Sequence, residues 1–225
     1  MKVAALFSGG KDSVFSAYKS KEMGYDLVGL ITVISENTES YMFHTPSIKK
    51  TKKQAEAMEL PLISEETKGE KEIELEDLEK AIKRAKERWG VEGIVTGAIK
   101  SVYQASRIEK ICNKLDLEFI NPLWQKDEFN YLKELIKGGF KVVIIGVFAY
   151  PFDKSWLGRE INEKFIQDIK PISEKYKVHP AGEGGEFETF VLDAPRDLFK
   201  KSLKIKDKKI TSSGKYSWKM EIDVE

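Results

Sequence analysis

Only one cysteine, Cys112, occurs in the 225 residues, so neither an intrachain disulfide framework nor a redox pair of thiols can form within one chain. Histidine is almost as scarce, with His44 and His179 alone, too few alongside one cysteine for a structural zinc site of four soft ligands. Long hydrophobic runs are missing too. The longest uncharged stretch, Val142 to Phe152, contains Gly146 and Pro151; it falls short of the ~18 residues of a membrane span and reads as a buried strand with its exit loop. The apolar run after Met1 and Lys2 is only Val3 to Phe7, below the ~7 to 15 residues of a secretory core, so a cytoplasmic protein with no membrane association is expected. Neither sign of charge dominates, with 38 Lys plus Arg against 37 Asp plus Glu. No global field therefore drives the chain onto nucleic acid or an anionic surface, and no stable nucleic-acid binding is expected.

What is present is an alternation of strand and helix patterns. Val3 to Phe7, a helix from Ser13 to Met23 ending at Gly24, and the β-branched run Leu27 to Ile34 make a βαβ opening. Pro46 suits the first turn of a helix carrying Ile48, Ala55 and Met58, and Pro61 to Ile63 is a short strand. A helix over Glu72 to Trp89 follows, then a strand at Gly93 to Gly97, a helix at Val102 to Leu115 and a strand at Glu118 to Ile120. The pattern predicts a Rossmann-like, five-stranded parallel α/β sheet with helices on both faces, spanning residues 1–124. Glu128 to Ile136 reads helical, Lys141 to Ala149 extended, and Arg159 to Tyr176 helical with an interruption at Pro171. Glu186 to Asp193, Ser202 to Ile205, Lys209 to Ser213 and Ser217 to Val224 read as short strands. Residues 125–225 are thus expected to form a smaller α+β domain, partly antiparallel, that recognises substrate.

In a parallel α/β sheet ligands bind beyond the carboxyl ends of the strands, where Ser8-Gly9-Gly10-Lys11-Asp12-Ser13 follows the first strand. Gly9 and Gly10 let the backbone approach an anion and the following helix adds its dipole, so phosphate is the expected guest. Lys11 can neutralise phosphate oxygens, Ser8 and Ser13 can donate hydroxyl hydrogen bonds, and Asp12 can hold Mg²⁺ or cap the helix. A Walker loop would need glycine where Ala5 stands and Ser or Thr where Asp12 stands, and the loop is not G-x-G-x-x-G either. The hexapeptide instead resembles the PP-loop motif of the N-type ATP pyrophosphatases. That resemblance implies cleavage of ATP between the α and β phosphates, with the loop holding pyrophosphate, and adenylation of a substrate.

Four further segments are more specific: Met42 to Pro46, Gly97 to Gln104 with Arg107, Trp156 to Arg159, and Gly182 to Pro195. Together they resemble the diphthine–ammonia ligase family over nearly the whole chain. The resemblance implies ATP and Mg²⁺ as cofactors and two acceptor-side partners: ammonium, and a translation elongation factor two bearing diphthine. Its carboxylate would be amidated through an acyl-adenylate as the last step of diphthamide biosynthesis. It also implies that backbone at Gly97, Ala98 and Ile99 meets the adenine or ribose. An archaeal source is expected, and the Lys and Glu bias within a charged fraction of 33% points to a hot environment.

Read on their own residues, Glu186 and Glu188 stand two apart on an expected strand, so their side chains leave one face ~7 Å apart, with Glu183 on the glycine-rich turn before them. These three carboxylates, candidates for catalysis with Lys11 and Asp12, can hold Mg²⁺, bind and deprotonate ammonium, or attract a trimethylammonium group; otherwise they form a solvated strand face. Gly184, Gly185, Phe187, Trp156, Arg159, Tyr103, Gln104 and His44 are candidate substrate contacts. The aromatic residues Phe148, Tyr150, Phe152, Trp156, Phe187 and Phe190 can line a cage for a quaternary ammonium or simply pack the core. Arg107 can fork onto the α-phosphate or the substrate carboxylate, or pair with a surface acid. A homodimer is compatible with the sequence. An RNA-modifying adenylating enzyme and a non-catalytic ATP sensor are the competing readings.

Overall fold

The computed structural model describes residues 1–36, 48–70 and 73–225. His44 and the rest of Met42 to Pro46 lie outside the described residues, as does the expected helix start at Pro46. The first unit runs β1 (Lys2–Leu6), α1 (Lys11–Glu22), β2 (Asp26–Ser35), a 3-10 turn (Ile48–Lys50) into α2 (Thr51–Met58), β3 (Leu62–Thr67), α3 (Ile73–Trp89), β4 (Gly93–Val95), α4 (Val102–Lys114) and β5 (Glu118–Ile120). The strands form one parallel sheet in the order β3-β2-β1-β4-β5. The chain reverses its winding between β1 and β4, and the carboxyl ends of those two strands open the crevice in which such folds bind ligands.

Alternation along β1 assigns the faces. Val3 and Ala5 join α1 and α2 in one buried cluster, whereas Ala4 joins Leu78, Ile82 and Ala85 of α3 and Ile108, Ile111 and Cys112 of α4 in another. The inner strands β2, β1 and β4 are thus covered on both sides, which is why β2 reads as a nearly continuous apolar run rather than an alternating one. Cys112 is fully buried in the second cluster, and burial pushes its thiol up to about 12. It is a small core residue and not a reactive one.

The remainder comprises α5 (Glu128–Lys137), β6 (Lys141–Val147), α6 (Glu163–Tyr176), β7 (Phe187–Asp193), β8 (Ile205–Gly214) and β9 (Ser217–Val224). Its four strands pair antiparallel throughout, in the order β7-β6-β9-β8. Two expectations are corrected. Ser202 and Leu203 are not in a strand, and the two short strands expected around them and Lys209 are one ten-residue edge strand, β8. Nor does Pro171 interrupt α6, which runs through it to Tyr176; Ile169 before it is fully buried and Ile172 after it packs on the same core, so burial on both sides outweighs one lost backbone bond.

The second sheet does not hang free of the first. Val142, Ile144 and Val147 of β6 and Phe187, Phe190 and Val191 of β7 share one apolar cluster with Val14, Phe15 and Ala17 of α1 and with Met58 of α2. β7 therefore lies alongside the start of α1, the position that the site requires. Among the described residues no helix is long and apolar enough to cross a membrane.

Candidate active site

The loop after β1 is held in shape from three directions. Within it, Ser13 Oγ donates to the Gly10 carbonyl at 3.0 Å and accepts from the Ser8 amide at 3.2 Å. From α2, the fully buried Gln54 donates through Nε2 to the carbonyls of Gly9, at 2.9 Å, and Val191, at 2.8 Å. Two carbonyl acceptors require the amide nitrogen there, which settles the orientation of Gln54 by its chemistry. From β7, the Val191 amide donates to the Gly9 carbonyl at 3.0 Å, and Thr189 Oγ1 accepts from the Lys11 amide at 3.1 Å. Gly9 has φ +78, and a Cβ there would stand 2.2 Å from Gln54 Oε1, so both backbone and space demand glycine.

Lys11 opens α1 and is only 2% exposed. Its Nζ lies 2.9 Å from Asp12 Oδ2 and 5.7 Å from the centre of the Phe187 ring. Asp12 Oδ1 accepts from the Tyr131 hydroxyl at 2.8 Å. Burial first, then the charge and hydrogen bond of Asp12, pushes that hydroxyl well above the usual phenol range, so Tyr131 stays a donor. Asp12 does not cap the helix: the N-cap is Gly10, with no side-chain cap bond. One carboxylate oriented this way suits Mg²⁺, which is held by one or two carboxylates together with substrate phosphates. Among the described residues no group of three His, Cys, Asp or Glu could hold a metal by itself.

The adjoining wall comes from the β4–α4 connection and the glycine-rich turn. At Gly97 a Cβ would approach the Asp12 backbone to 2.8 Å, so that connection can sit directly beside the phosphate loop only as glycine. Gly97 and Ala98 line the cleft, while the Ile99 side chain is fully buried. The amides of Ile99, Lys100 and Ser101 all donate to the Glu183 carboxylate, at 2.8 to 3.2 Å. A carboxylate at the start of α4 is where the helix dipole favours it. The bond also fixes the turn Gly182 to Gly185, with φ +73 and +81 at its two end glycines, across the mouth of the site.

These elements enclose a cleft of about 740 Å³, enough for a nucleotide and a small co-substrate. Ser8, Gly10, Lys11, Asp12 and Ser13 line it from one side, and Glu183, Gly184, Gly185, Phe187 and Glu188 from the other. Glu188 Oε2 is buried with no hydrogen-bond partner among the described residues. Burial pushes its carboxyl up to about 8, against the opposing pull of Lys219 and Lys11.

The three expected carboxylates do not converge. Glu186 precedes β7 and turns back, its Oε1 accepting the His179 amide at 2.6 Å, and it is not in the cleft wall. Strand alternation fails as a guide there because Glu186 belongs to the turn. Gln104 lines the cleft, but Tyr103 and Arg107 do not; the Arg107 guanidinium lies 3.5 Å above the Tyr103 ring. Trp156 sits in an aromatic stack with Phe152 and Phe165, while Arg159 lies 4.1 Å over its ring and pairs with Asp168. Of the candidate cage residues, Phe148 and Phe187 face the cleft; Tyr150 is exposed and stacks edge-on with Tyr176 and Tyr216.

Sequence reasoning missed Gln54, Thr189, Tyr131 and Lys219. Thr189 falls inside the segment singled out for its glutamates, and the polar Gln54 on the apolar side of α2 was a readable signal. Tyr131 looked like ordinary core and Lys219 like any strand lysine.

A family model described as the diphthamide synthase N-terminal domain matches residues 1–119, and one for the C-terminal domain matches residues 127–223. The chain is 38% identical over 222 residues to a human protein named diphthine–ammonia ligase, covering 90% of this chain and 82% of that one. It is 35% identical over 233 residues to the Schizosaccharomyces pombe protein of that name, covering 95% of this chain but only 38% of the longer relative. A solved structure titled a predicted subunit of tRNA methyltransferase from Methanocaldococcus jannaschii aligns over 88% of this chain and 99% of its own, at 18% identity and a TM-score of 0.45; a likeness at that level carries no argument. Two family models covering both halves, and relatives of this identity over nine-tenths of the sequence, establish that the chain belongs to the diphthamide synthase, or diphthine–ammonia ligase, family.

Proposed function

We propose that this chain amidates the diphthine carboxylate of translation elongation factor two, using ATP and ammonium and releasing AMP and pyrophosphate. The observation that carries this reading is one cleft that sets a pyrophosphate-type loop opposite a buried carboxylate with a raised affinity for protons. An ionised carboxylate is a poor electrophile, and transfer of AMP onto it supplies a leaving group.

Ser8 to Ser13 hold the β and γ phosphates, Lys11 neutralises them, and Asp12, kept in place by Tyr131, would help hold Mg²⁺, which would neutralise the same phosphates. Gly97 and Ala98 lie against adenosine. The acceptor oxygen bonds to the α-phosphorus as the bond to the β-phosphate oxygen breaks. Glu188 takes one proton from ammonium, the freed nitrogen attacks the acyl carbon, the bond to AMP breaks, and the nitrogen loses a second proton to solvent. A carboxyl near pH 8 is a fitting base for so weak an acid as ammonium. Residues 1–124 serve ATP, with Tyr131 and Thr189 supporting its loop, and residues 125–225 serve the acceptor and ammonium. A cytoplasmic elongation factor as acceptor would place the reaction in the cytoplasm.

RNA modification is less well supported. Cys112 is too deeply buried to relay sulfur, and the lysines around β8 lie on an exposed sheet edge where Lys206 already pairs with Glu225, the usual protection of an edge strand. A test is incubation with ATP, Mg²⁺ and ammonium, with and without the diphthine-bearing factor. AMP and pyrophosphate formed only with the factor support the ligase; ADP, or ATP binding without turnover, contradicts it.

A further inference from the structure

The register of the second sheet brings a residue into the site that no motif marks. Gly146 of β6 pairs with Glu188 of β7 on one side and with Lys219 of β9 on the other. Residues in direct register across adjacent strands project from the same face. Glu188 and Lys219 are therefore same-face neighbours two strands apart, roughly 10 Å between their Cα atoms. Because the residue between them is glycine, no β6 side chain at that position separates the two charged ends. Both line the cleft. The half-buried Lys219 places Nζ 5.7 Å from the centre of the Phe148 ring on the same wall.

Glu188 thus stands between two cations, Lys11 of the phosphate loop and Lys219 of β9, both acting on it electrostatically. The amidation proposed above, on which this inference rests, needs sites for three charged groups: a polyphosphate, an ammonium ion and an acceptor carboxylate. Lys11 and the loop meet the first and Glu188 the second. We propose that Lys219 binds the third, holding the acceptor's carboxylate, and later its acyl oxygen, beside the ammonium bound at Glu188. The second sheet then does more than pack against the nucleotide domain. Its face lays out electrophile and nucleophile on neighbouring strands, and the lysine selects for an anionic acceptor group. The first step forms the bond from that carboxylate oxygen to the α-phosphorus as pyrophosphate leaves. The second forms the carbon–nitrogen bond as AMP leaves, the ammonium protons passing to Glu188 and to solvent.

The test is steady-state kinetics of the full chain with the diphthine-bearing factor, comparing wild type, Lys219→Met and Lys219→Arg, with ATP affinity measured separately by equilibrium titration. Lys219→Met should lower kcat/KM for the acceptor by roughly 10- to 100-fold, the loss of one charge-assisted hydrogen bond. It should leave ATP affinity within about twofold, a measurement that also reports an intact fold, and Lys219→Arg should recover much of the loss. An active wild type with an unchanged Lys219→Met variant overturns the assignment of Lys219 and leaves the ligase reading standing. A weakened ATP affinity with unchanged acceptor kinetics overturns it too, in favour of a nucleotide contact. A wild type that forms no amide contradicts the ligase reading itself, and this assignment falls with it.

Discussion

Glu188 holds its proton to about pH 8 against an ordinary 4.5 because burial penalises its charge, and that has two consequences of known sign. As a base it must be ionised, so the ligase rate at saturating substrates should rise between about pH 6.5 and 8.5 and then level off, an inflection absent from Glu188→Gln, whose rate should fall by ~100-fold or more. In stability the sign is opposite. Between pH 4.5 and about 8 the folded chain binds this proton more tightly than the unfolded chain does, so stability is lost as pH rises through that window and is constant above it. Thermal melts of wild type should therefore fall more steeply than those of Glu188→Gln from pH 5 to 8. Gln54 offers a different test. Gln54→Leu strands the Val191 carbonyl and weakens the grip on Gly9, which should cost about 1–3 kcal/mol and reduce ATP affinity, read by denaturant melts and by titration. The loop was legible in the sequence because glycine, lysine and serine at fixed spacing are local chemistry; Gln54 and Thr189 grip it across 45 and 178 residues of chain, and no spacing rule reaches that far.

At the scale of elements, β1 through β5 and their helices could be read from pattern, since the inner strands are buried on both faces and α3 and α4 each bury one stripe. The second sheet was harder. β8 is exposed along almost its whole length, so it offers no alternation, and only pairing with β9 keeps it extended. The glycine-rich turn depends on α4 in a way the motif did not reveal: Glu183 is bound to three amides at the helix start rather than directed freely at a ligand. Glu183→Ala should speed hydrogen exchange at Ile99, Lys100 and Ser101 above that of the α4 interior, because these amides lose their acceptor. Arg159, a candidate substrate contact by sequence, is engaged with Asp168 and Trp156. Arg159→Met should accordingly lower the melting temperature while leaving KM for the acceptor within about twofold, a small effect beside that of a bound charge.

Across the whole molecule, two sheets share one apolar cluster, and the phosphate loop lies where they meet. The fragment 1–124 lacks the Thr189 and Val191 contacts that shape the loop, so it should bind ATP far more weakly than the full chain by equilibrium titration. A charged fraction of 33% rich in Lys and Glu also predicts melting above about 60 °C. The central claim, that one cleft joins adenylation to amide formation, is tested most directly by mass spectrometry of the diphthine-bearing factor after reaction with ATP and nitrogen-15 ammonium, with AMP counted in parallel. The account predicts one AMP and one pyrophosphate per amide, and an amide about 1 Da heavier than that formed from ordinary ammonium. Nucleotide consumed as ADP, or AMP released with no labelled amide on the factor, would contradict it.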